Sequence, residues 1–168
     1  MKNDPRFTRH GDRNFDDLAD KFEARIYGGY KGRNRLEVLR RDFAHVLEPG
    51  KTLDVLDVGA GSAQFTQELV AAGHRITICD VSEKMLDYAR ERMQPAIENG
   101  QVRLIHASLQ DLPELIDQKF DLVMFHAVLE WLAEPVSGLE ILSSLLSTQG
   151  AVSVLFYNRP SLVFYHLT

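Results

Sequence analysis

The sequence predicts an α/β fold, a doubly wound and mostly parallel sheet with helices on both faces. Strand-like apolar runs alternate along the chain with segments of helical periodicity, which is typical of parallel sheets. A glycine turn in the stretch "TLDVLDVGAGSAQF" joins one such strand to the following helix. With 168 residues and a hydrophobic content of 45%, the chain can build one core, so we expect one domain.

Residues 1–50 are predicted to form a helical cap, or lid, on a core that spans 51–168. Apolar positions recur at helical spacing over about 15–47. The pattern breaks at "YGGY", Tyr27 to Tyr30, where two glycines are flanked by tyrosines. This break predicts two helical pieces, and the glycines flanked by tyrosines predict that the lid is mobile.

The first strand is predicted over 53–58, a short run rich in β-branched residues that a glycine closes. A side chain at Gly59 or Gly61 would block a tight turn or the approach of a ligand to the backbone. Helical spacing then continues up to Gly73. A strand, a glycine turn and a helix N-terminus in this order predict a nucleotide pocket.

The turn favours S-adenosyl-L-methionine over a dinucleotide as the ligand. The dinucleotide fingerprint G-x-G-x-x-G lacks its third glycine, since the turn reads "GAGSAQ". Asp57, which precedes the turn, suits a cationic ligand better than phosphates. S-adenosylmethionine carries an ammonium and a sulfonium and has no phosphate.

The second strand is predicted over 75–79 and ends in Asp80, after which Ser82 is a suitable N-cap for a helix. Asp80 follows Gly61 by nineteen residues, where an acid that binds ribose hydroxyls belongs. An acid at a helix N-terminus also favours the helix dipole, which is the alternative interpretation of Asp80. Together with the glycine turn, ribose binding is the preferred hypothesis.

Three further strands are predicted near 101–106, 120–125 and 151–156. Before the last of them, Pro135 predicts the start of a helix and Gly150 is expected to follow its end. The apolar face of this helix is predicted to comprise Val136, Leu139, Leu142 and Leu146.

Composition and charge argue against several classes of protein. The net charge of −5 disfavours a generally basic nucleic-acid binder. The single cysteine, Cys79, cannot form an internal disulfide and is typical of a reducing, cytoplasmic setting. His45 and His106 have no partner at metal spacing, so no metal site is predicted. One basic cluster is predicted to be a solvated helix face: Lys31, Arg33, Arg35, Arg40 and Arg41.

The chain shows no sign of a targeting or membrane segment. Its first residues, "MKNDPRFTRHGDRN", are polar, and no later run approaches about 18 uncharged apolar residues. We therefore expect neither a signal peptide nor a membrane span.

Four segments resemble the class I S-adenosylmethionine-dependent methyltransferases, whose sheet is Rossmann-like, in the order and spacing of that family. These segments are "VLDVGAGSAQF", "ICDVSEKMLDYA", "ASLQDLPEL" and "FDLVMFHAVLEWLAEP". More narrowly, "DRNFDDLADKF", "IYGGYKGRNR" and "FHAVLEWLAEP" resemble the subfamily of tRNA 5-carboxymethoxyuridine methyltransferases. The resemblance extends from about Asp12 to Asn158.

The resemblance implies how the glycine turn holds the cofactor. Gly59, Ala60 and Gly61 would line its methionine part. Asp57 would support the turn and the ammonium group, and Asp80 would hold the ribose.

The resemblance also implies contacts from other parts of the chain. Leu109 and Gln110 would lie beside the adenine. Arg35 would reach the cofactor's carboxylate with its forked guanidinium. His126 would contact the cofactor, although a histidine at a strand end is also often a hydrogen-bonded structural residue.

The implied reaction is methyl transfer to the carboxylate of 5-carboxymethoxyuridine at the tRNA wobble position, giving a methyl ester. This carboxylate is ionised near neutral pH, so no proton-abstracting residue is named and catalysis would depend on alignment. Trp131 and Phe125 are predicted to be core residues rather than base-stacking groups. Two alternatives stay open: methylation of another small carboxylate or metabolite, and a cofactor-binding fragment without catalysis.

The chain departs from the family in three respects. Ser108 stands where many relatives have an acid. Ala63 replaces a third family glycine. Class I methyltransferases also continue after the fifth strand with a helix and an antiparallel pair of strands, so the core ending at Thr168 is expected to be incomplete, without the part that would carry much of the tRNA contact. The fifth strand would then lie near an exposed edge, covered by or adjoining an apolar segment: Leu162, Val163, Phe164 and Tyr165.

Overall fold

The computed structural model of the protein describes residues 4–26, 29–47 and 50–157. Its strands are β1 (Asp54–Val58), β2 (Arg75–Asp80), β3 (Val102–His106), β4 (Phe120–His126) and β5 (Leu146–Leu155). They form one sheet in the order β3-β2-β1-β4-β5, and every neighbouring pair is parallel. The predicted α/β fold with a parallel sheet is confirmed.

The helices fall before the sheet and between its strands, as the alternating pattern predicts. They are α1 (Ala19–Ile26), α2 (Tyr30–Asp42), α3 (Ala44–Leu47), α4 (Thr66–Ala71), α5 (Glu83–Glu98), α6 (Leu112–Leu115) and α7 (Pro135–Ser144). Two short 3-10 turns cover Leu109–Asp111 and Leu129–Trp131. Ser82 caps α5 as predicted, because its Oγ accepts a hydrogen bond from the Met85 backbone N–H at 3.2 Å.

Apolar side chains cover both faces of the sheet, which makes the fold doubly wound. Successive residues of a strand point to opposite faces, so Leu122 and Met124 join one buried cluster while Val123 and Phe125 join the other. The first cluster packs the sheet against side chains of α2, α4 and α5. The second packs it against α6, α7 and the 3-10 turn between β3 and α6.

The strand order reverses at β1, and this reversal determines where a ligand can bind. From β1 the chain proceeds outward to β2 and β3, and it then returns to place β4 on the other side of β1. The connections that leave the carboxyl ends of β1 and β4 therefore turn away from each other and leave a crevice. The predicted glycine turn and His126 both lie at this crevice.

The prediction for the end of α7 and the start of β5 was wrong. The helix ends at Ser144, and both Leu146 and Gly150 belong to the strand. Leu146 also fits the helical spacing, which explains the error. Gly150 is required by close packing instead of by a helix end, because a Cβ there would lie 2.6 Å from the backbone oxygen of Phe120.

Some predictions concern residues that the structure does not describe. Tyr27 and Gly28 of the predicted break lie outside the described residues, as does the segment 162–165. The division into a cap and a core at residue 50 stays a prediction. Within the described part of the chain, β5 is an edge strand of the sheet. None of the helices described there has the length and apolar character that a membrane crossing requires.

Candidate cofactor-binding site

A cavity of about 270 Å³ opens at the carboxyl edge of the sheet. The glycine turn after β1, the ends of β2 and β4, the helix α2 and the N-terminal segment all contribute to its lining. Among the predicted site residues, only Gln110 does not line this cavity. Those that do are Arg35, Asp57, Gly59, Ala60, Gly61, Asp80, Leu109 and His126.

The two glycines of the turn serve different physical requirements. Both have positive φ, +67° at Gly59 and +57° at Gly61, which side chains disfavour. At Gly59 a Cβ would also collide with the Val128 side chain, whereas at Gly61 it would meet only the Met85 sulfur at 3.9 Å. Ala63 adopts a φ of +54° as well, so the position at which the chain departs from the family is one that favours glycine.

Asp57 and Asp80 contribute two buried carboxyl groups to the lining of the cavity. Burial raises the pKa of Asp57 to about 7, and the negative charge of Asp80 adds to the effect. The Thr66 hydroxyl, which donates a hydrogen bond to Asp57 Oδ2, and the charge of Arg35 both oppose this increase. A cation in the cavity would favour the ionised form of both acids.

Asp80 already accepts hydrogen bonds from the backbone. Its Oδ2 accepts from the Gly61 N–H at 2.8 Å, and its Oδ1 accepts from the Ser82 N–H at 2.8 Å. Burial raises the pKa of Asp80, and these backbone donors oppose the increase. The contact with Ser82 places this carboxylate at the start of α5, which is the position that the alternative interpretation, an acid favouring the helix dipole, requires. Each carboxylate oxygen can still accept a second hydrogen bond, so a ligand hydroxyl can be accommodated.

Arg35 extends from α2 into the cavity. It is therefore the residue that departs most from the prediction that this basic cluster forms a solvated helix face. Within the described residues its guanidinium makes no hydrogen bond or ion pair, and its Nε is buried without a partner. Its neighbours on the helix are different, since Arg40 pairs with Glu68 at 2.8 Å and Arg41 with Asp42 at 3.0 Å. A buried donor without a partner is costly, so the site favours an anionic ligand at this point.

His126 ends β4 and is mostly buried beside the cavity. Its Nε2 lies 2.9 Å from the Ser153 Oγ, and its ring is edge-on to Phe43 with centroids 6.0 Å apart. Burial lowers the pKa of His126 to about 4, and the positive charge of Arg35 contributes. The imidazole is therefore neutral near pH 7. Its contact with Ser153 fits a structural role, and its position at the cavity fits a contact with the cofactor. Both interpretations of His126 are therefore compatible with the structure.

The two residues predicted beside adenine are placed differently. Leu109 is buried and lines the cavity. Gln110 does not, and its Oε1 is buried with no hydrogen-bond partner in the described part of the chain.

Sequence reasoning missed the contribution of the N-terminal segment to the lining. Phe15 and Phe22 pack edge to face at 5.0 Å, and both line the cavity with Glu23. Glu23 forms an ion pair with Arg92 of α5, and Arg92 also donates to the backbone oxygen of Ser62. The segment "DRNFDDLADKF" was the available signal, although its helical spacing did not show which face meets the core.

The prediction that two aromatic residues lie in the core is confirmed for one of them and wrong for the other. Phe125 is fully buried, as predicted, whereas Trp131 is 40% exposed and lines the cavity. In the ranges 4–26, 29–47 and 50–157, no group of three or more His, Cys, Asp or Glu could hold a metal ion.

Comparison with known proteins places this geometry in a family. A family of methyltransferase domains matches residues 56–154. The chain is 39% identical over 158 residues to the tRNA 5-carboxymethoxyuridine methyltransferase of Escherichia coli (strain K12), which covers 93% of this chain. It is 54% identical over 43 residues, or 26% of the chain, to the malonyl-[acyl-carrier protein] O-methyltransferase of Erwinia pyrifoliae, of which it covers 16%.

A solved structure has the same fold. The N-methyltransferase NodS from Bradyrhizobium japonicum WM9, in complex with S-adenosyl-L-homocysteine, matches 84% of this chain and 72% of its own. The TM-score is 0.67 at 18% sequence identity. The chain spans about 60% of the length of the Escherichia coli relative.

Proposed function

The chain belongs to the methyltransferase domain family, and we propose that it methylates a carboxylate of modified tRNA with S-adenosyl-L-methionine. The acceptor proposed is 5-carboxymethoxyuridine at the wobble position, and the product is its methyl ester. Identity to the Escherichia coli tRNA methyltransferase over 158 residues supports this acceptor. A reaction on tRNA also supports a cytoplasmic location.

The observation that carries the proposal is the Arg35 guanidinium, which lines the cavity without a partner among the described residues. S-adenosylmethionine has one carboxylate and two cationic groups. Arg35 would hold the carboxylate, and the acids Asp57 and Asp80 favour positive charge. The cavity therefore offers the charges that this cofactor needs, and Asp80 has acceptor capacity for the ribose hydroxyls.

When bound, S-adenosylmethionine supplies an electrophilic methyl group on a positively charged sulfur. The protein's own residues bind, orient and exclude water. Leu109 and the apolar side chains of the N-terminal segment line the cavity, where they would displace water from around the bound cofactor. His126 is neutral near pH 7, so it adds no positive charge beside a sulfonium.

No general base is needed for this acceptor. A carboxylate with an ordinary pKa near 4 is ionised at pH 7 and is itself the nucleophile. The contribution of the protein is then alignment of the reacting atoms, which can supply several kcal/mol of the barrier.

A second candidate is methylation of a protein-bound or free small carboxylate. The 54% identity over 43 residues to the malonyl-[acyl-carrier protein] O-methyltransferase favours it, and so does the net charge of −5. A cofactor-binding fragment without turnover is the third possibility that the test must separate.

The test combines binding and transfer in the same samples. The chain is titrated calorimetrically with S-adenosylmethionine, with NAD as the control. It is then incubated with tRNA that carries 5-carboxymethoxyuridine or with malonyl-acyl-carrier protein. Micromolar binding with ester formation on tRNA alone supports the proposal. Transfer to the malonyl group alone supports the second candidate, and binding with no transfer to either supports the cofactor-binding fragment.

A further inference from the structure

Trp131 is a large apolar side chain that the fold holds in a partly exposed position beside the cavity. It is 40% exposed, and it lines the same cavity as Arg35 and Asp80. Tyr157, 53% exposed, lines this cavity as well. With Phe15, these residues form what we name the aromatic lining. Exposed aromatic groups at a cavity mark a binding site more often than isolated exposed aromatics elsewhere.

The aromatic lining is held in place by contacts between distant parts of the chain. The Arg13 N–H donates to the Trp131 backbone oxygen at 3.1 Å, and the Ala133 N–H donates to Asp12 Oδ1 at 2.9 Å. On the other side, the Tyr157 N–H donates to Glu130 Oε1 at 2.6 Å. The backbone at Trp131 and Ala133 is therefore fixed by the N-terminal segment, and the Glu130 side chain links this region to the backbone just after β5.

The ring of Trp131 is also oriented. Phe15 packs against it at nearly a right angle, with the two planes at 83° and the centroids 4.9 Å apart. This edge contact uses part of the indole surface, and a substantial part stays accessible to solvent. A rigid, accessible aromatic surface loses little conformational entropy when a flat ring stacks on it.

We infer that the aromatic lining is the acceptor subsite and that it binds the acceptor by stacking a planar heterocyclic ring, such as a pyrimidine base, on Trp131. This inference rests on the proposed function, since it names the part of the cavity that receives the acceptor. It also separates the candidates, because a malonyl group has no ring to stack. Unpaired bases are recognised in this way on aromatic side chains.

Trp131 is the single tryptophan of the chain, so its fluorescence reports on this position alone. The chain is saturated with S-adenosylhomocysteine and titrated with 5-carboxymethoxyuridine nucleoside, with malonate as a ring-free carboxylate. Stacking predicts saturable quenching by the nucleoside and none by malonate. Quenching by neither ligand, or equal quenching by both, would contradict the inference.

Variants of the aromatic lining provide an independent test. Trp131→Leu is expected to weaken nucleoside binding by tenfold or more in calorimetry, while Trp131→Phe retains most of it. Affinity for S-adenosylhomocysteine should change less than twofold in both variants. Phe156→Leu is the matched control, because Phe156 is 55% exposed beside Tyr157 yet does not line the cavity.

Failure of the inference and failure of the proposed function give different results. If the chain methylates the modified tRNA and Trp131→Leu has an unchanged KM, the stacking subsite is wrong and the function stands. If the chain binds S-adenosylhomocysteine but methylates no tRNA, the proposed function fails. The quenching experiment then still decides whether the aromatic lining binds a ring.

Discussion

The charged and the aromatic parts of one cavity are built in different ways. The charged lining, Arg35, Asp57 and Asp80, is buried or half-buried, and both acids lie at the ends of adjacent parallel strands. The aromatic lining is partly exposed at Trp131 and Tyr157, and residues far apart in the chain fix it through individual hydrogen bonds. Removal of a single charge should therefore weaken binding of the cofactor. Binding of the acceptor should depend more on how distant segments of the chain pack against each other.

The largest effect is expected from Arg35. Replacement by alanine should weaken S-adenosylhomocysteine binding by about a hundredfold, because a charge-assisted hydrogen-bond pair is lost. Arg35→Lys should lose roughly tenfold, since the ammonium cannot form the fork. Calorimetry measures both variants. Arg40→Ala on the same helix is the control, because Arg40 is exposed and paired with Glu68.

The choice of ligand sharpens the test of Arg35. 5′-Methylthioadenosine lacks the amino-acid carboxylate, so its affinity should be the same in Arg35→Ala as in the unchanged protein. An equal loss for both ligands would mean that Arg35 supports the fold instead of binding the carboxylate.

The next largest effect is expected at Gly59, which packs against Val128, the residue just before the 3-10 turn that ends in Trp131. Gly59→Ala should lower the free energy of unfolding by about 2–3 kcal/mol, because the new Cβ has positive φ and collides with Val128. Gly61→Ala should cost only about 1 kcal/mol, since it has the strain without the collision. Denaturant unfolding measures both. The double variant Gly59→Ala with Val128→Ala should recover part of the loss, and no recovery would exclude the collision as the cause.

A smaller effect is expected from Asp80→Asn. Loss of the carboxylate should weaken S-adenosylhomocysteine binding by roughly tenfold, because the ribose hydroxyls lose a charged acceptor. The backbone contacts with Gly61 and Ser82 would also weaken. An analogue without the ribose hydroxyls separates the two effects. If Asp80→Asn weakens the analogue as much as the parent ligand, the ribose assignment is wrong.

The smallest effect is a pH dependence through Asp57. In the ligand-free protein its pKa is about 7, and a bound cation would lower that pKa. Binding then releases a proton below pH 7, so affinity for S-adenosylmethionine should rise with pH up to about 7, by at most about tenfold per unit. Calorimetry at pH 6 in buffers of different ionisation enthalpy measures the released proton. The neutral ligand 5′-methylthioadenosine should show much less release, and equal release would contradict the prediction.

Local sequence patterns predicted the charged lining better than the aromatic lining. The strand, glycine turn and helix are contiguous, and Asp80 ends the next strand, so the parallel register brings the acids together. Arg35 was first predicted on a solvated face from its neighbours, and the resemblance to a family moved it to the cofactor. Trp131 lies in an apolar stretch, which predicted burial and was wrong because its surroundings come from distant segments.

The sequence by itself determined the alternation of strands and helices, the glycine turn and the acids beside it, because these depend on periodicity and backbone conformation within short stretches. Only the tertiary structure decided which residues share the cavity across long separations: Arg35 facing the acids, Phe15 against Trp131, and Val128 against Gly59. It also decided that Gly150 belongs to a strand, because the close approach to Phe120 arises only when β4 and β5 pair. Periodicity indicates which face of each segment is buried in the core. Packing between segments then determines which side chains contact each other.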